Sequence, residues 1–209
     1  MERLVCIIIG YLCGLFQTGF IYGKIKKVDI RQLGSGNAGT TNALRTLGLK
    51  AGLITFFGDC LKAVLAAFII RKLFASQTEI MPLLVMYAGL GTVLGHNFPC
   101  YLGFKGGKGI AATAGMIAAF NAPMAMMGFA TFIIVVAITR YVSLGSLLLM
   151  TGFLIEIFVF GSRGTFHLAQ PYLYELYIVS FALTALAFYR HRANIVRLIK
   201  GTERKLGQK

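Results

Sequence analysis

Acidic residues are scarce in this chain. Its 209 residues include two Asp and five Glu against 21 Lys and Arg, a formal net charge of +14. A metal-dependent phosphoryl enzyme holds its ion with clustered carboxylates. Two Asp and three His offer no such cluster, so neither a metal site nor a cofactor is expected. Nucleic acid is also excluded as a partner, because no stacking or groove-reading module accompanies the basic charge. Cys6, Cys13, Cys60 and Cys100 are the only cysteines and form no CxxC; they read as small packing residues in apolar segments, not as disulfides or zinc ligands. Familiar catalytic signatures are missing too. "GFKGGKG" at 103–109 has the wrong spacing for a P-loop and places Gly109 where a Ser or Thr belongs. There is no G-x-S-x-G elbow, and Tyr101 stands five residues after His96, where a His-x-x-x-x-Asp acyltransferase pair would need Asp. Nucleotide and acyl-CoA chemistry therefore have no visible handle.

What the chain has is apolar length. It is 57% hydrophobic and only 13% charged, whereas soluble domains are about half apolar and about a quarter charged. A helix needs roughly 20 apolar residues to cross the hydrocarbon core. Seven apolar segments can be drawn, at 4–22, 51–73, 82–102, 109–120, 123–139, 142–161 and 171–189. The fourth, roughly 18 Å long as a helix, reads as a half-span or a steeply tilted piece. The first is too long for a signal-peptide core and lacks a small-x-small cleavage site, so it counts as a helix. The expected fold is all-α: one polytopic membrane domain over 1–209 with about seven segments. Six basic residues fall in 24–50, two in 103–109, one at Arg140 and seven in 190–209; only Arg3, Lys62, Arg71, Lys72 and Arg163 lie elsewhere. Positive charge collects on the cytoplasmic side, which predicts the N-terminus outside and the C-terminus in the cytoplasm.

That topology gathers three polar, glycine- and cation-bearing stretches on one face: "LGSGNAGTTNALR" at 33–45, "GFKGGKG" at 103–109 and "YRHRANIVRLIKGTE" at 189–203. The glycines at 34, 36 and 39 allow backbone N–H groups to point at a ligand. They lead into Thr40, Thr41, Asn42 and Arg45 at a helix start, a favourable position for an anion. His191, Asn194 and Arg197 recur every three residues and share one helical face; a solvated basic tail has the same spacing. Asp59 and Lys62, three apart within an apolar segment, are too costly to leave unpaired there and are expected to neutralise each other. Glu156 stands alone in the sixth segment.

Taken together, the three stretches resemble the bacterial acyl-phosphate:glycerol-3-phosphate acyltransferases, small membrane enzymes that start phospholipid synthesis. The resemblance rests on "GSGNAGTTN…R" at 34–45, "GHNFP…FKGGKG" at 95–109 and "HRANIVRLIKGTE" at 191–203, and it extends to Asp59 and Lys62. The chain departs from the family where "GLFQTG" places Leu15 and Gln17 at the usual Ser and Pro positions. The resemblance implies a seven-helix fold in the bacterial plasma membrane with the active site near the cytoplasmic face. It also implies transfer of a fatty acyl group from acyl phosphate to the 1-hydroxyl of glycerol 3-phosphate, and hence an upstream enzyme that forms the acyl phosphate.

Two phosphate-bearing substrates require compensation of their mutual repulsion. Ser35, Arg45, Lys108 and His191 are the expected catalytic residues. Gly34, Gly36, Asn37, Thr41, Asn42, His96, Lys105, Gly106, Gly107, Asn194 and Arg197 are the expected binding residues. Attack by the glycerol hydroxyl can be direct. Its proton goes to His96, to His191 or to an oxygen of the acyl phosphate, and the last is favoured because no carboxylate neighbours either histidine in sequence. The rival reading is a transporter or channel for a small phosphorylated anion, to which basic donors and Gly-broken segments are also suited.

Overall fold

The computed structural model describes residues 1–208, and every regular element among them is helical. Six stretches are long and apolar enough to cross a membrane: Glu2–Ile25, Leu49–Leu73, Thr78–Leu102, Ala122–Thr139, Val142–Ser162 and Gln170–Arg190.

The first predicted segment is broken. It forms α1 (Glu2–Gly14) and α2 (Thr18–Ile25), separated by a pivot at 15–17. Gln17, buried at the pivot, donates from Nε2 to the carbonyls of Gly14 (3.1 Å), Gly95 (3.3 Å) and His96 (3.1 Å). A single amide thus serves carbonyls freed at two helix ends, and the His96 carbonyl also accepts from Gly107 N. After the loop 26–39, the short amphipathic α3 (Thr40–Leu47) turns at Gly48 into α4 (Leu49–Leu73). The chain continues through α5 (Met81–Asn97), α6 (Ile110–Phe120), α7 (Ala122–Thr139), α8 (Val142–Ser162) and α9 (Gln170–Arg190), and then α10 (Arg192–Ile199).

With 11 residues, α6 rises only about 16 Å, yet it reaches the far end of the bundle. There Arg71, in the last turn of α4, donates to the Ala119 carbonyl at 2.9 Å. The missing length is supplied by the loop before α6, whose Gly106, Gly107 and Gly109 are buried in the opposite end of the bundle. At the far end Arg3 pairs with Glu175 (2.6 and 2.8 Å), and Tyr87 donates to the same carboxylate at 2.7 Å. The three polar stretches all lie at the opposite end.

Helix–helix association in lipid gains little from hydrophobicity and rests on close packing. α1 and α5 meet backbone to backbone through Gly10 and Gly14 on one helix and Gly91 and Gly95 on the other. A Cβ on any of the four would stand 2.1–2.3 Å from a carbonyl oxygen of the partner helix. The main apolar core, including Met86, Met116, Met150, Phe153, Leu176 and Leu183, fills the space among α5, α6, α8 and α9. Cys6 is buried as expected of a packing residue, whereas Cys100 is exposed, because α5 ends at Asn97 and Cys100 begins a 3₁₀ turn.

Candidate active site

A cavity of about 600 Å³ opens at the polar end of the bundle. Its first wall is the 33–45 stretch. Gly34 and Gly36 take positive φ (+60° and +71°), where a side chain is strained; at Gly34 a Cβ would also come within 2.3 Å of Asn42 Oδ1. Asn42 lies at the centre of this loop. Its Oδ1 accepts from Ser35 N (2.9 Å), and its Nδ2 is shared among the carbonyls of Ile30 (3.0 Å), Leu33 (3.0 Å) and Asn37 (2.9 Å). The Asn42 amide is therefore fully engaged within the protein and organises the loop. Asn37 Oδ1 accepts from Gly39 N at 2.9 Å, which leaves Ser35, Thr40 and Thr41 along the cavity rim. The α3 N-terminus has no side-chain cap, and Gly39, Thr40 and Thr41 of its first turn line the cavity, which sets the positive end of the helix dipole beside it. Arg45, one turn further on, also lines it.

The second wall is the loop before α6. Gly106 N and Gly107 N donate to Asn97 O (3.2 Å) and His96 O (3.0 Å), folding the loop back on the end of α5. The loop's other side is fixed by Arg190, whose Nη2 donates to the carbonyls of Gly106 (3.1 Å) and Gly107 (2.7 Å) while its guanidinium lies over the Phe98 ring. Lys108 then turns into the cavity and donates to Asn194 Oδ1. Lys105 does not join it. It is exposed and borders an adjoining crevice with Asp29, Arg31, Gly36 and Gly106, which shares Ser35, Asn37 and Arg190 with the cavity wall. His96 is buried and packed against Gly107, where a Cβ would meet its Nε2 at 1.9 Å.

The third wall comes from the α9–α10 junction. His191 Nδ1 donates to Ala187 O at 2.8 Å, so the lone pair of the neutral ring is on Nε2. Burial, reinforced by the Lys108 charge, pushes His191 down to about 4. Asn194 Nδ2, Ser143 Oγ of α8 and Arg197 Nε donate to the Glu203 carboxylate at 2.6, 2.8 and 2.7 Å. Burial works against ionisation of Glu203, but these hydrogen bonds outweigh it and hold the acid below the ordinary carboxylate range. Burial also lowers Lys108 to about 8, with Arg197, Arg190 and Arg45 acting in the same direction and Glu203 opposing them.

Glu203 and Arg190 escaped the reading of the sequence, although both lie in the third stretch. One signal was available for Glu203: it is one of only seven acids in a strongly basic chain, placed among cations. Away from the charged walls the cavity becomes apolar, lined by Phe56, Ala114, Phe129, Phe132, Val136 and Leu149. One continuous space thus joins a donor-rich cationic end to an apolar limb among α4, α6, α7 and α8.

Comparison with known proteins agrees with this arrangement. Residues 4–201 match the family described as glycerol-3-phosphate acyltransferase. A glycerol-3-phosphate acyltransferase of Clostridioides difficile is 46% identical, over 99% of this chain and 96% of the relative. One from Alkaliphilus metalliredigens is 42% identical, over 100% and 98% respectively. In three dimensions the chain is similar to crystal structures of PlsY, an integral membrane glycerol 3-phosphate acyltransferase. The glycerol 3-phosphate form superposes with a TM-score of 0.86 and the lysophosphatidic acid form with 0.83, each at 36% identity over 99% of this chain and 96% of that one. This chain belongs to the glycerol-3-phosphate acyltransferase family.

Proposed function

We propose that the chain transfers a fatty acyl group from an acyl phosphate to the 1-hydroxyl of glycerol 3-phosphate, releasing 1-acylglycerol 3-phosphate and inorganic phosphate. The observation that carries this reading is the single cavity in which Arg45, Lys108, Arg197 and the α3 N-terminus adjoin an apolar limb. An acyl phosphate has a tail for the limb and a phosphate for the cations. Two unit negative charges 4 Å apart repel by about 4 kcal/mol at an effective dielectric of 20, and these cations offset that cost. A transporter needs its donors near the membrane midplane; here they gather at one end of the bundle.

The chemistry requires no covalent enzyme intermediate. The glycerol oxygen attacks the acyl carbonyl carbon, the bond from that carbon to the phosphate oxygen breaks, and phosphate departs with the electron pair. The hydroxyl proton passes to a phosphate oxygen of the acyl donor. His191, pushed down to about 4, is a weak base; its neutral Nε2 orients the hydroxyl by accepting its hydrogen bond. Lys108 and Arg45 stabilise the charge that develops on the carbonyl and phosphate oxygens, the effect that dominates acyl transfer in pre-organised sites. Asn194 and Glu203 hold Lys108 in place, with Ser35 and Thr41 as hydroxyl ligands of phosphate.

The polar end faces the cytoplasm of a bacterial plasma membrane, with the N-terminus outside and α6 completing seven passes. A separate enzyme supplies the acyl phosphate. The test is phosphate release by the purified protein with palmitoyl phosphate and glycerol 3-phosphate, run with EDTA and with palmitoyl-CoA as a comparison donor. The expected result is lysophosphatidate and phosphate in equal amounts, from acyl phosphate alone and unaffected by EDTA. Product from palmitoyl-CoA alone, or from neither donor, overturns the assignment.

A further inference from the structure

Asp59 and Lys62 belong to none of the three stretches, yet their cluster is buried directly beneath the cavity. An ammonium has three hydrogens, and Lys62 Nζ faces three acceptors: Asp59 Oδ1 at 2.8 Å, Phe16 O at 2.8 Å and His96 Nδ1 at 2.7 Å. Thr18 Oγ1 adds a donor to the same Asp59 oxygen at 3.2 Å. All four of these side chains are buried. Because the ammonium donates to Nδ1, the ring hydrogen of His96 is on Nε2, the atom that packs against Gly107. Gly107 N donates to the His96 carbonyl, Gly107 O accepts from Arg190, and the next residue is Lys108.

We infer that Lys62 is a positioning residue for acyl transfer. It fixes the orientation and tautomer of His96, and His96 fixes the Gly106–Gly107 turn that aims Lys108 at the substrate phosphate. Neutralising Asp59 needs only the ion pair, but a hydrocarbon side chain at 96 would leave the third hydrogen of the buried ammonium without an acceptor. The ring also links the buried ion pair to the one loop whose position decides where Lys108 points. The inference rests on the proposed reaction, so its test includes a readout independent of turnover.

That readout is the ring ¹⁵N spectrum of histidine-labelled protein. The chain has three histidines, and His96→Asn assigns its signals. The expected spectrum of the wild-type protein shows His96 with Nδ1 unprotonated and Nε2 protonated; a proton on Nδ1 overturns the inference whatever the activity. Kinetics supply the second arm. Asp59→Asn/Lys62→Met removes the pair without leaving a buried charge, and His96→Asn removes the ring. Each is expected to lower kcat/KM for glycerol 3-phosphate by 10-fold or more, mainly through KM, at near wild-type melting temperature. If Lys62 acts through His96, the combined variant loses no more than either alone. Multiplicative losses, unchanged kinetics, or losses that track melting temperature overturn it. If wild-type protein itself shows no turnover, the proposed reaction fails, while the spectrum still decides the tautomer.

Discussion

Lys108 and Lys105 are three residues apart in one glycine-rich loop, and their surroundings could hardly differ more. Lys105 is exposed, whereas Lys108 is half-buried and bonded to Asn194. Lys108→Ala removes the only charge that this loop places in the cavity and is expected to reduce turnover by about 100-fold or more, the scale of losing one donor to a developing oxyanion. Lys105→Ala is expected to cost much less, and initial rates of phosphate release separate the two. In the proposed mechanism Lys108 also sets the alkaline limit. Since it is lowered to about 8, the free enzyme loses this cation as pH rises through that value, and kcat/KM should fall there. An arginine does not deprotonate in this range, so Lys108→Arg should flatten the alkaline limb whatever its absolute rate. An unchanged fall near pH 8 in that variant would assign the limb to another group. The sequence displays both lysines equally. What separates them is the path of Gly106 and Gly107, which depends on His96 and Arg190, residues brought there by α5 and α9.

Among the elements, the pair α1 and α5 illustrates both what a sequence pattern carries and what it leaves unsaid. Small residues four apart stand at Gly10 and Gly14 and at Gly91 and Gly95, the spacing of close membrane-helix contacts. That pattern is legible once the partner is known, but neither pair states which helix it meets. Gly91→Leu would put a Cβ 2.2 Å from Ile7 O; separating the helices should cost about 1–3 kcal/mol or more and lower the melting temperature by several degrees. Gly128→Ala is the contrast, since its nearest new contact, Leu149 Cγ, is at 3.6 Å, and it should be nearly neutral. A Gly91→Leu protein that melts like wild type would show that the helices do not approach so closely. Periodicity and hydropathy locate the long helices within a few residues. The break at 15–17 is hidden inside a continuous apolar run because its cause, the Gln17 amide reaching the end of α5, is a tertiary contact.

At the scale of the whole molecule, charge and function share one end. The six basic residues of 24–50, the pair in 103–109, Arg140 and the six of 190–208 all belong to segments at the cavity end of the bundle. In the proposed orientation, the one the positive-inside rule favours, these segments meet a phosphorylated, water-soluble substrate in the cytoplasm, while the apolar limb remains beside the bilayer that would hold the proposed acyl donor. One orientation therefore meets the demands of insertion and of catalysis together. The protein has its own reporter for it: Cys100 is exposed at the cavity end, and Ser76, exposed between α4 and α5, is at the far end. In intact cells a membrane-impermeant maleimide should leave Cys100 unlabelled until the membrane is permeabilised, and Cys100→Ser should abolish that late labelling. In a Cys100→Ser background, Ser76→Cys should label without permeabilisation. The reverse pattern would place the cavity outside the cell, away from cytoplasmic glycerol 3-phosphate, and would break the link between charge asymmetry and catalysis on which the proposed orientation depends.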